Sequence, residues 1–308
     1  LVRFIGVLKA PRFYPKEVKV IAKKTTSADG AFAFAVSDDR ENYSYTMVLA
    51  KKEGHAWGWA EWYPREDKTG DIALGVPKDL SGYAVDENGR PVSGADVSLA
   101  FALLGKREGR RAFNDLIGAK LFSVKTGSDG RFEIQDLPAQ GTFELLVKKP
   151  ELATFSTFNW SNFSYERECQ YRPGQPDIKL VVPAQMTVGG TVVDGATGRP
   201  IPGVALILMQ DRSHPAWGQV PLVSGDDGAL KLKALTPGKY SLQLLSPDQA
   251  KAEWVANPTA IELKPGQDQL DRRIALSRGG FLEVTVRDTA KETPIAGASV
   301  NVRCPKTE

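Results

Sequence analysis

The segment HAWGWAEWYP, residues 55–64, contains the residue types with the greatest chemical potential in this sequence. In a regular strand, Trp57, Trp59, Glu61 and Tyr63 lie on one side, because successive side chains point to opposite faces. Aromatic rings in a row beside a carboxylate suit stacking against the apolar faces of sugar rings. The same pattern fits the inner face of a sandwich strand, where Trp57 and Trp59 belong to the core. These four residues are the candidate ligand-binding site, with core packing as the alternative.

Aromatic residues at comparable places further along the chain favour the core alternative. These residues are Phe158, Trp160 and Trp254. A tryptophan that recurs at one end of each unit is more simply explained as structural filling than as part of a ligand site.

Catalytic and metal-binding chemistry has few candidate residues. His55 and His214 are the two histidines of the sequence, and neither lies near a recognisable nucleophile motif. The two cysteines, Cys169 and Cys304, are far apart and form no CxxC pair, which argues against a cysteine-based zinc site. The sequence therefore predicts a protein that is not an enzyme, with no catalytic residues, no metal site and no cofactor.

Composition narrows the classes of partner. The chain has 308 residues, with 40 basic and 37 acidic side chains and a formal net charge of +3. This balance gives no reason to expect a nucleic acid partner. No apolar run approaches the roughly 20 residues that cross a bilayer, so membrane insertion is not expected. The 29 glycines and 20 prolines favour short strands and turns over long helices.

The chain repeats itself with a period of about 100 residues, which predicts tandem domains. SGYAVDENGRPVSGADVSL, GGTVVDGATGRPIPGVALIL and GFLEVTVRDTAKETPIAGASVNV begin at Ser81, Gly189 and Gly280. An aspartate, a proline and a glycine align in all three: Asp86, Asp194 and Asp288; Pro91, Pro200 and Pro294; Gly94, Gly203 and Gly297. Asp-Gly pairs form a second shared element at 29–30, 129–130 and 227–228.

Each repeat has the pattern of a strand, a turn and a strand. Asp194 can accept hydrogen bonds from the backbone two residues on, and Gly198 supplies a positive φ. Leu206 and Leu208 then alternate with other positions at a period of two. Short strands separated by turns every 8–12 residues are typical of an antiparallel β-sandwich. The sequence thus predicts an all-β protein of tandem sandwiches, with these aspartates as turn-forming residues.

The pattern G-x-V-x-D, then G-R-P-x-x-G-A-x-V, then D-G-x-F resembles the carboxypeptidase regulatory-like domain family. The resemblance implies seven-stranded antiparallel Greek-key β-sandwiches of the transthyretin-like or Ig-like type. The middle two repeats contain nearly all of the pattern, whereas residues 1–24 lack the G-R-P signature and the last repeat has only its first two strands. In this family the domain is usually an appendage of secreted or surface proteins that supports folding, spacing or binding.

Four units are predicted along the chain. Residues 1–78 form a degenerate β-sandwich repeat, residues 79–184 and 185–277 form complete repeats, and residues 278–308 form a partial repeat. Residues 101–122 are predicted to be an insertion between the second and third strands of the second unit. The linkers are short and mostly apolar, so neighbouring units are expected to pack end to end.

The leading functional hypothesis is a non-catalytic scaffold or spacer from a bacterial protein that is secreted or displayed at the cell surface. Its partner would be a protein or a cell-surface glycan. One alternative is a carbohydrate-binding module that uses the aromatic residues of the 55–63 segment. Another is a regulatory appendage of a peptidase or sensor whose catalytic part lies outside these residues.

The partial repeat, residues 278–308, has a separate expectation. Two strands cannot bury their apolar faces alone, so they should pack on the third repeat, be disordered, or pair with the edge strand of another chain. In the last case Cys304 is placed to form an intermolecular disulfide.

Overall fold

A computed structural model of the chain describes residues 2–5, 17–20, 22–34, 43–62, 71–105, 111–114, 121–158, 169–210, 214–215, 222–245, 253–280 and 283–300. The elements in these ranges are 21 β-strands in five sheets, which confirms the predicted all-β class. Over the same ranges, no helix is both long and apolar enough to cross a membrane.

The first unit contributes one antiparallel sheet with the strand order β2-β1-β3-β4. Its strands are β1 (Val2–Ile5), β2 (Glu17–Val20), β3 (Tyr43–Ala50) and β4 (Gly58–Trp62). In the hairpin of β3 and β4, Leu49 lies opposite Trp59. This hairpin contacts the second unit, with strand β4 close to β7.

The second unit is a sandwich of two sheets, with the strand orders β12-β5-β9 and β11-β10-β6-β7. The strands are β5 (Pro77–Val85), β6 (Asp96–Leu104), β7 (Arg111–Asn114), β8 (Ser123–Lys125), β9 (Arg131–Pro138), β10 (Thr142–Lys148), β11 (Phe155–Ser156) and β12 (Ile178–Val181). Strand β8 pairs with β6 beside the second sheet.

The third unit is a sandwich with the strand orders β17-β13-β21-β19 and β15-β14-β18-β20. The strands are β13 (Met186–Asp194), β14 (Ala205–Gln210), β15 (His214–Pro215), β16 (Leu222–Val223), β17 (Ala229–Leu235), β18 (Gly238–Leu244), β19 (Trp254–Val255), β20 (Thr259–Leu263) and β21 (Gln269–Arg278). Strand β16 pairs with β14.

The two sandwiches share one strand-pairing scheme, as expected for repeats of one domain type. In each, the first strand pairs antiparallel with the strand that follows the Asp-Gly turn, β5 with β9 and β13 with β17. In each, the first strand also pairs parallel with the last, β5 with β12 and β13 with β21. The sequence predicted antiparallel sandwiches, and this one parallel pair in each is an exception to the antiparallel pairing of the other strands.

Each sandwich has its own hydrophobic core. The second contains Leu99, Ile134 and Phe143 among its buried residues, and the third contains Leu206 and Ile261. Fully burying one such side chain stabilises a fold by about 1.5–3 kcal/mol. The two sandwiches are therefore stabilised by two different clusters of buried residues.

The region predicted as an insertion contributes to the second sandwich. Residues 101–104 continue strand β6, and residues 111–114 form β7 on the edge beside it. Both faces of β6 are buried, because Phe101 on the outer face stacks on Phe158 with 4.6 Å between ring centroids. Phe158 therefore covers the outer face of β6 in the second sandwich.

The aligned aspartates form the turns that the sequence predicts. The Oδ1 atom of Asp86 accepts hydrogen bonds from the backbone N–H groups of Asn88 and Arg90, both at 2.8 Å. In the third unit, Asp194 Oδ1 accepts from the N–H groups of Ala196 and Thr197 at 2.8 and 3.2 Å. These carboxylates are thus engaged in local turns, as expected for this residue type.

The described part of the last repeat, residues 283–300, has a turn but no buried apolar side chain. Val284, Ile295 and Val300 are each about half exposed. These residues do not pack on the third sandwich, which was one of the three expectations for this segment. Disorder and edge-strand pairing of the partial repeat remain predictions, and Cys304 lies outside the described residues.

Candidate functional site: the junction at the aromatic segment

The aromatic segment forms a junction between the first sheet and the second sandwich. Strand β4 begins only at Gly58, so Trp57 precedes the strand and the regular alternation expected from residue 55 onward does not occur. Glu61 pairs with Met47 through its backbone, and Tyr63 lies outside the described residues. Trp57 and Trp59 are thus the candidate residues whose surroundings can be described.

Trp59 belongs to the hydrophobic core. Its side chain is 0% exposed, as is that of Met47 on the neighbouring strand. Both belong to the same cluster as Leu80 and Leu137 of the second sandwich. The indole of Trp59 therefore has no face available for a sugar ring, and the core alternative describes this residue correctly.

Trp57 is half-buried and contacts the second sandwich with both its ring and its backbone. The ring makes an edge-to-face contact with Phe122, with 5.4 Å between centroids and 74° between planes. The Trp57 N–H group donates a 3.0 Å hydrogen bond to the carbonyl oxygen of Asp136, on β9. Aromatic pairs of this geometry add about 0.5–1.5 kcal/mol beyond the area they bury. Trp57 thus joins two units.

Charged side chains surround the same contact. Lys51 Nζ lies 2.7 Å from Asp136 Oδ2 and 5.9 Å from the centroid of the Trp57 ring. The same ammonium group donates a 2.7 Å hydrogen bond to the carbonyl oxygen of His55. The side chains of Lys51 and Asp136 are 26% and 44% exposed, so water weakens the ion pair and its contribution is below about 1 kcal/mol. Its main effect is to orient the side chains at the junction.

Gly58 permits a close crossing of the chain at the junction. A Cβ atom at this position would lie 2.7 Å from Ile72 Cγ2 and 2.8 Å from the carbonyl oxygen of Ala73. The residues that connect the first and second units therefore pass directly against the start of β4.

The described residues of the junction are joined by hydrogen bonds and packing contacts. The His55 ring nitrogen Nδ1 lies 3.0 Å from the carbonyl oxygen of Glu53 in an exposed turn. Among the residues that the structure describes, no group of three or more histidine, cysteine, aspartate or glutamate side chains could hold a metal ion. What this arrangement can do is hold two units together.

Comparison with known proteins gives only distant similarities. No protein-family model and no curated protein matches the sequence. Among solved structures, the chain is similar to a streptococcal ancillary pilin, with 18% identity, coverage of 77% of this chain and 75% of that one, and a TM-score of 0.33. It is also similar to a minor pilin of Streptococcus agalactiae, with 14% identity, coverage of 68% and 100%, and a TM-score of 0.31.

A third solved structure is comparably distant. The shaft pilin SpaA of Lactobacillus rhamnosus is 9% identical, with coverage of 68% of this chain and 100% of that one and a TM-score of 0.28. At these TM-scores the similarities carry no functional argument, so function is inferred from the geometry of this chain.

Proposed function

We propose that this chain is a non-catalytic structural scaffold whose β-sandwich units hold a partner protein at a distance from a surface. The observation that supports this most is the serial arrangement of two sandwiches with the same strand pairing and separate cores. Units of this kind, stacked one after another, form arrays in which each unit contacts its neighbours. In such an array each unit fixes the position of the next unit, which is what a spacer requires.

The roles of the candidate chemical residues support a structural function. The repeated aspartates Asp86 and Asp194 form backbone turns, and Trp59 fills the core. The carbohydrate-binding alternative loses its platform, because Trp59 is 0% exposed and Trp57 packs on Phe122. The alternative, an appendage of a peptidase or sensor, has the same arrangement of units. It differs from the scaffold proposal only in the domain that adjoins the array.

We also propose that the units are carboxypeptidase regulatory-like domains. Support comes from the aspartate turns and from a buried hydroxyl group at matching places. This group directly follows β8 in the second sandwich and β16 in the third. Thr126 Oγ1 accepts a 2.9 Å hydrogen bond from Ala95 N–H, and Ser224 Oγ accepts one of 2.9 Å from Val204 N–H at the matching place. Two repeats that preserve such a detail derive from one domain type.

The proposed location is outside the cytoplasm, and surface labelling tests it. Intact producing cells are treated with a membrane-impermeant amine reagent, and labelled lysines are identified by mass spectrometry. Exposed Lys179, Lys231 and Lys264 should be labelled as fully as in lysed cells. A cytoplasmic protein of the same cells, labelled only after lysis, is the control. Labelling of these three lysines only after lysis would contradict the proposal.

A titration with soluble polysaccharides separates the scaffold from the carbohydrate-binding module. Tryptophan fluorescence of the wild type, Trp57→Ala and Trp254→Ala should show no saturable change with any glycan. Trp254 is the matched control, because it is also half-buried but packs on the third core. A saturable shift in the wild type that is lost in Trp57→Ala and retained in Trp254→Ala would favour the module instead.

A further inference from the structure

The junction between the second and third sandwiches repeats the backbone contacts of the junction at the aromatic segment. At the first junction, Trp57 N–H donates to the carbonyl oxygen of Asp136 at 3.0 Å. At the second, Thr154 N–H donates to the carbonyl oxygen of Ala234 at 2.8 Å. Asp136 and Ala234 occupy the same place in their sandwiches, each directly before the buried leucine near the end of the strand, Leu137 or Leu235.

A second pair of hydrogen bonds adjoins the first in each junction. Ala56 N–H donates to the carbonyl oxygen of Gly75 at 3.0 Å, and Ala153 N–H donates to that of Pro183 at 3.2 Å. Gly75 and Pro183 both belong to the short linker that leads into the next unit. Ala56 and Ala153 are both 0% exposed, so each junction closes around a methyl group.

The donor segments share a local conformation that differs from regular strand geometry. KKEGHAW, residues 51–57, and KKPELAT, residues 148–154, both begin at the end of a strand that lies before the junction. In each, a turn closes with a hydrogen bond, from His55 N–H to Lys52 at 3.1 Å and from Leu152 N–H to Lys149 at 3.2 Å. The turn contains a residue with a φ of 73° in both cases, Gly54 and Glu151.

The acceptor carbonyls are made available by a β-bulge. The pairing of β5 with β9 shifts between Lys78 and Leu80, and the pairing of β13 with β17 shifts between Met186 and Val188. Each shift places one extra residue on the acceptor strand, and a bulge leaves that residue out of the ladder. Asp136 and Ala234 have φ values of 60° and 62°, which turn the backbone at the bulge. A left-handed Ala234 is strained, so the surrounding contacts must hold it.

We infer that these contacts are one repeated docking device, in which the bulged carbonyl of each sandwich binds the turn segment of the unit before it. The partner that fits this surface is another unit of the same type, presented with a tight turn and a buried alanine. Side chains at the contact differ between the junctions, Trp57 against Thr154 and Asp136 against Ala234, whereas the backbone hydrogen bonds are the same. Successive units are therefore held in a fixed and equivalent relative orientation.

This inference deepens the proposed scaffold function and rests on it, since a fixed orientation turns an array of units into a rigid spacer. The test measures residual dipolar couplings and amide hydrogen exchange on the full chain, in the wild type, in Ala153→Arg and in Ala196→Arg. Ala196 lies in an exposed turn of the third sandwich and is the matched control.

In the wild type, the second and third sandwiches should fit one common alignment tensor. The amides of Trp57 and Thr154 should exchange at least tenfold more slowly than an unprotected amide. Ala153→Arg should require two separate tensors and should lose the protection of Thr154 while retaining that of Trp57. Ala196→Arg should match the wild type in every respect.

Independent tensors in the wild type, or fast exchange of both amides, would overturn the docking device. If Ala153→Arg does not fold, the wild-type tensors and exchange rates decide the question alone. Failure of the scaffold proposal is distinguishable, because it shows as a saturable glycan shift that is lost in Trp57→Ala, with the common tensor of the wild type intact. Labelling of the lysines only after lysis would contradict the proposed location and leave the common tensor unchanged. If the two sandwiches need independent tensors while the three lysines are fully labelled on intact cells, the chain is a flexible spacer and the docking device is rejected.

Discussion

The third sandwich and the fourth repeat begin with the same turn but differ in what covers their apolar residues. Asp288 Oδ1 accepts hydrogen bonds from the N–H groups of Ala290 and Lys291 at 2.8 and 2.9 Å, as Asp194 does from the matching positions. The bridge between Arg287 and Pro294 likewise matches the bridge between Val193 and Pro200. The turn therefore forms without a sandwich around it.

The third sandwich and the fourth repeat differ in how far their aligned apolar side chains are buried. Ile201 is 8% exposed in the third sandwich, whereas the aligned Ile295 is 46% exposed. Leu206 is 1% exposed, and the aligned Val300 is 51% exposed. The comparison teaches that the turn depends on residues adjacent in sequence, while the core depends on a second sheet that only a complete repeat supplies.

One aligned position also differs in residue type. Gly82 and Gly190 lie where the last strand of each sandwich pairs in parallel with the first, and Val284 occupies the corresponding place in the fourth repeat. A Cβ atom would lie 2.4 Å from the carbonyl oxygen of Ile178 at Gly82 and 2.2 Å from that of Arg272 at Gly190. The two sandwiches need glycine there for their parallel pair, and the fourth repeat has no such requirement.

The largest effect is expected from truncating the buried isoleucine of the third sandwich, with the aligned exposed isoleucine as the control. Ile201→Ala should lower the free energy of unfolding of the third sandwich by about 2–5 kcal/mol, the usual cost of truncating a buried isoleucine. Ile295→Ala, the same substitution at an exposed site, should change it by less than about 0.5 kcal/mol. Urea unfolding followed by hydrogen exchange of β18 amides measures both. Equal effects of the two variants would show that the fourth repeat is packed in solution.

A smaller effect is expected where β13 pairs in parallel with β21. Gly190→Ala should destabilise the third sandwich by about 1–3 kcal/mol, because strands β13 and β21 must separate to admit the methyl group. Val284→Ala, at the aligned position, should be neutral within about 0.5 kcal/mol. The same urea titration measures both variants. A neutral Gly190→Ala would mean that the parallel pair adjusts without cost and that glycine is not required there.

The features that sequence predicted correctly are those set by local chemistry. The aspartate turns and the short alternating strands depend on residues within about ten positions of one another. Asp86 and Asp194 form their hydrogen bonds with N–H groups two to four residues away. Such contacts need no knowledge of the rest of the fold.

The features that sequence left open or missed depend on contacts between distant residues. The sequence left Trp59 open between a ligand site and the core, and the second sandwich, whose core residues begin about twenty positions later, buries it. The parallel pairing of β13 with β21 joins strands about eighty residues apart. The junction amides were missed because backbone groups have no sequence signature. The repeated KK at 51–52 and 148–149 was the one available signal.

The smallest effect is expected from the turn aspartates and depends on pH. Hydrogen bonds from the Ala196 and Thr197 N–H groups hold the pKa of Asp194 below its usual value of 3.8. An aspartate with a lowered pKa stabilises the fold above the unfolded-state value, and this stabilisation is lost as the pH falls through the folded-state pKa. The melting temperature of Asp194→Asn should therefore lie below that of the wild type at pH 7 and approach it near pH 3.

Asp288→Asn is the matched control for this prediction. Its turn has the same hydrogen bonds but adjoins no core, so its substitution should leave the melting of the third sandwich unchanged at both pH values. Thermal melting of the three proteins between pH 7 and pH 3 provides the measurement. A difference between Asp194→Asn and the wild type that persists unchanged at pH 3 would assign the effect to turn geometry and not to the charge. An effect of Asp288→Asn would instead couple the fourth repeat to the sandwich that precedes it.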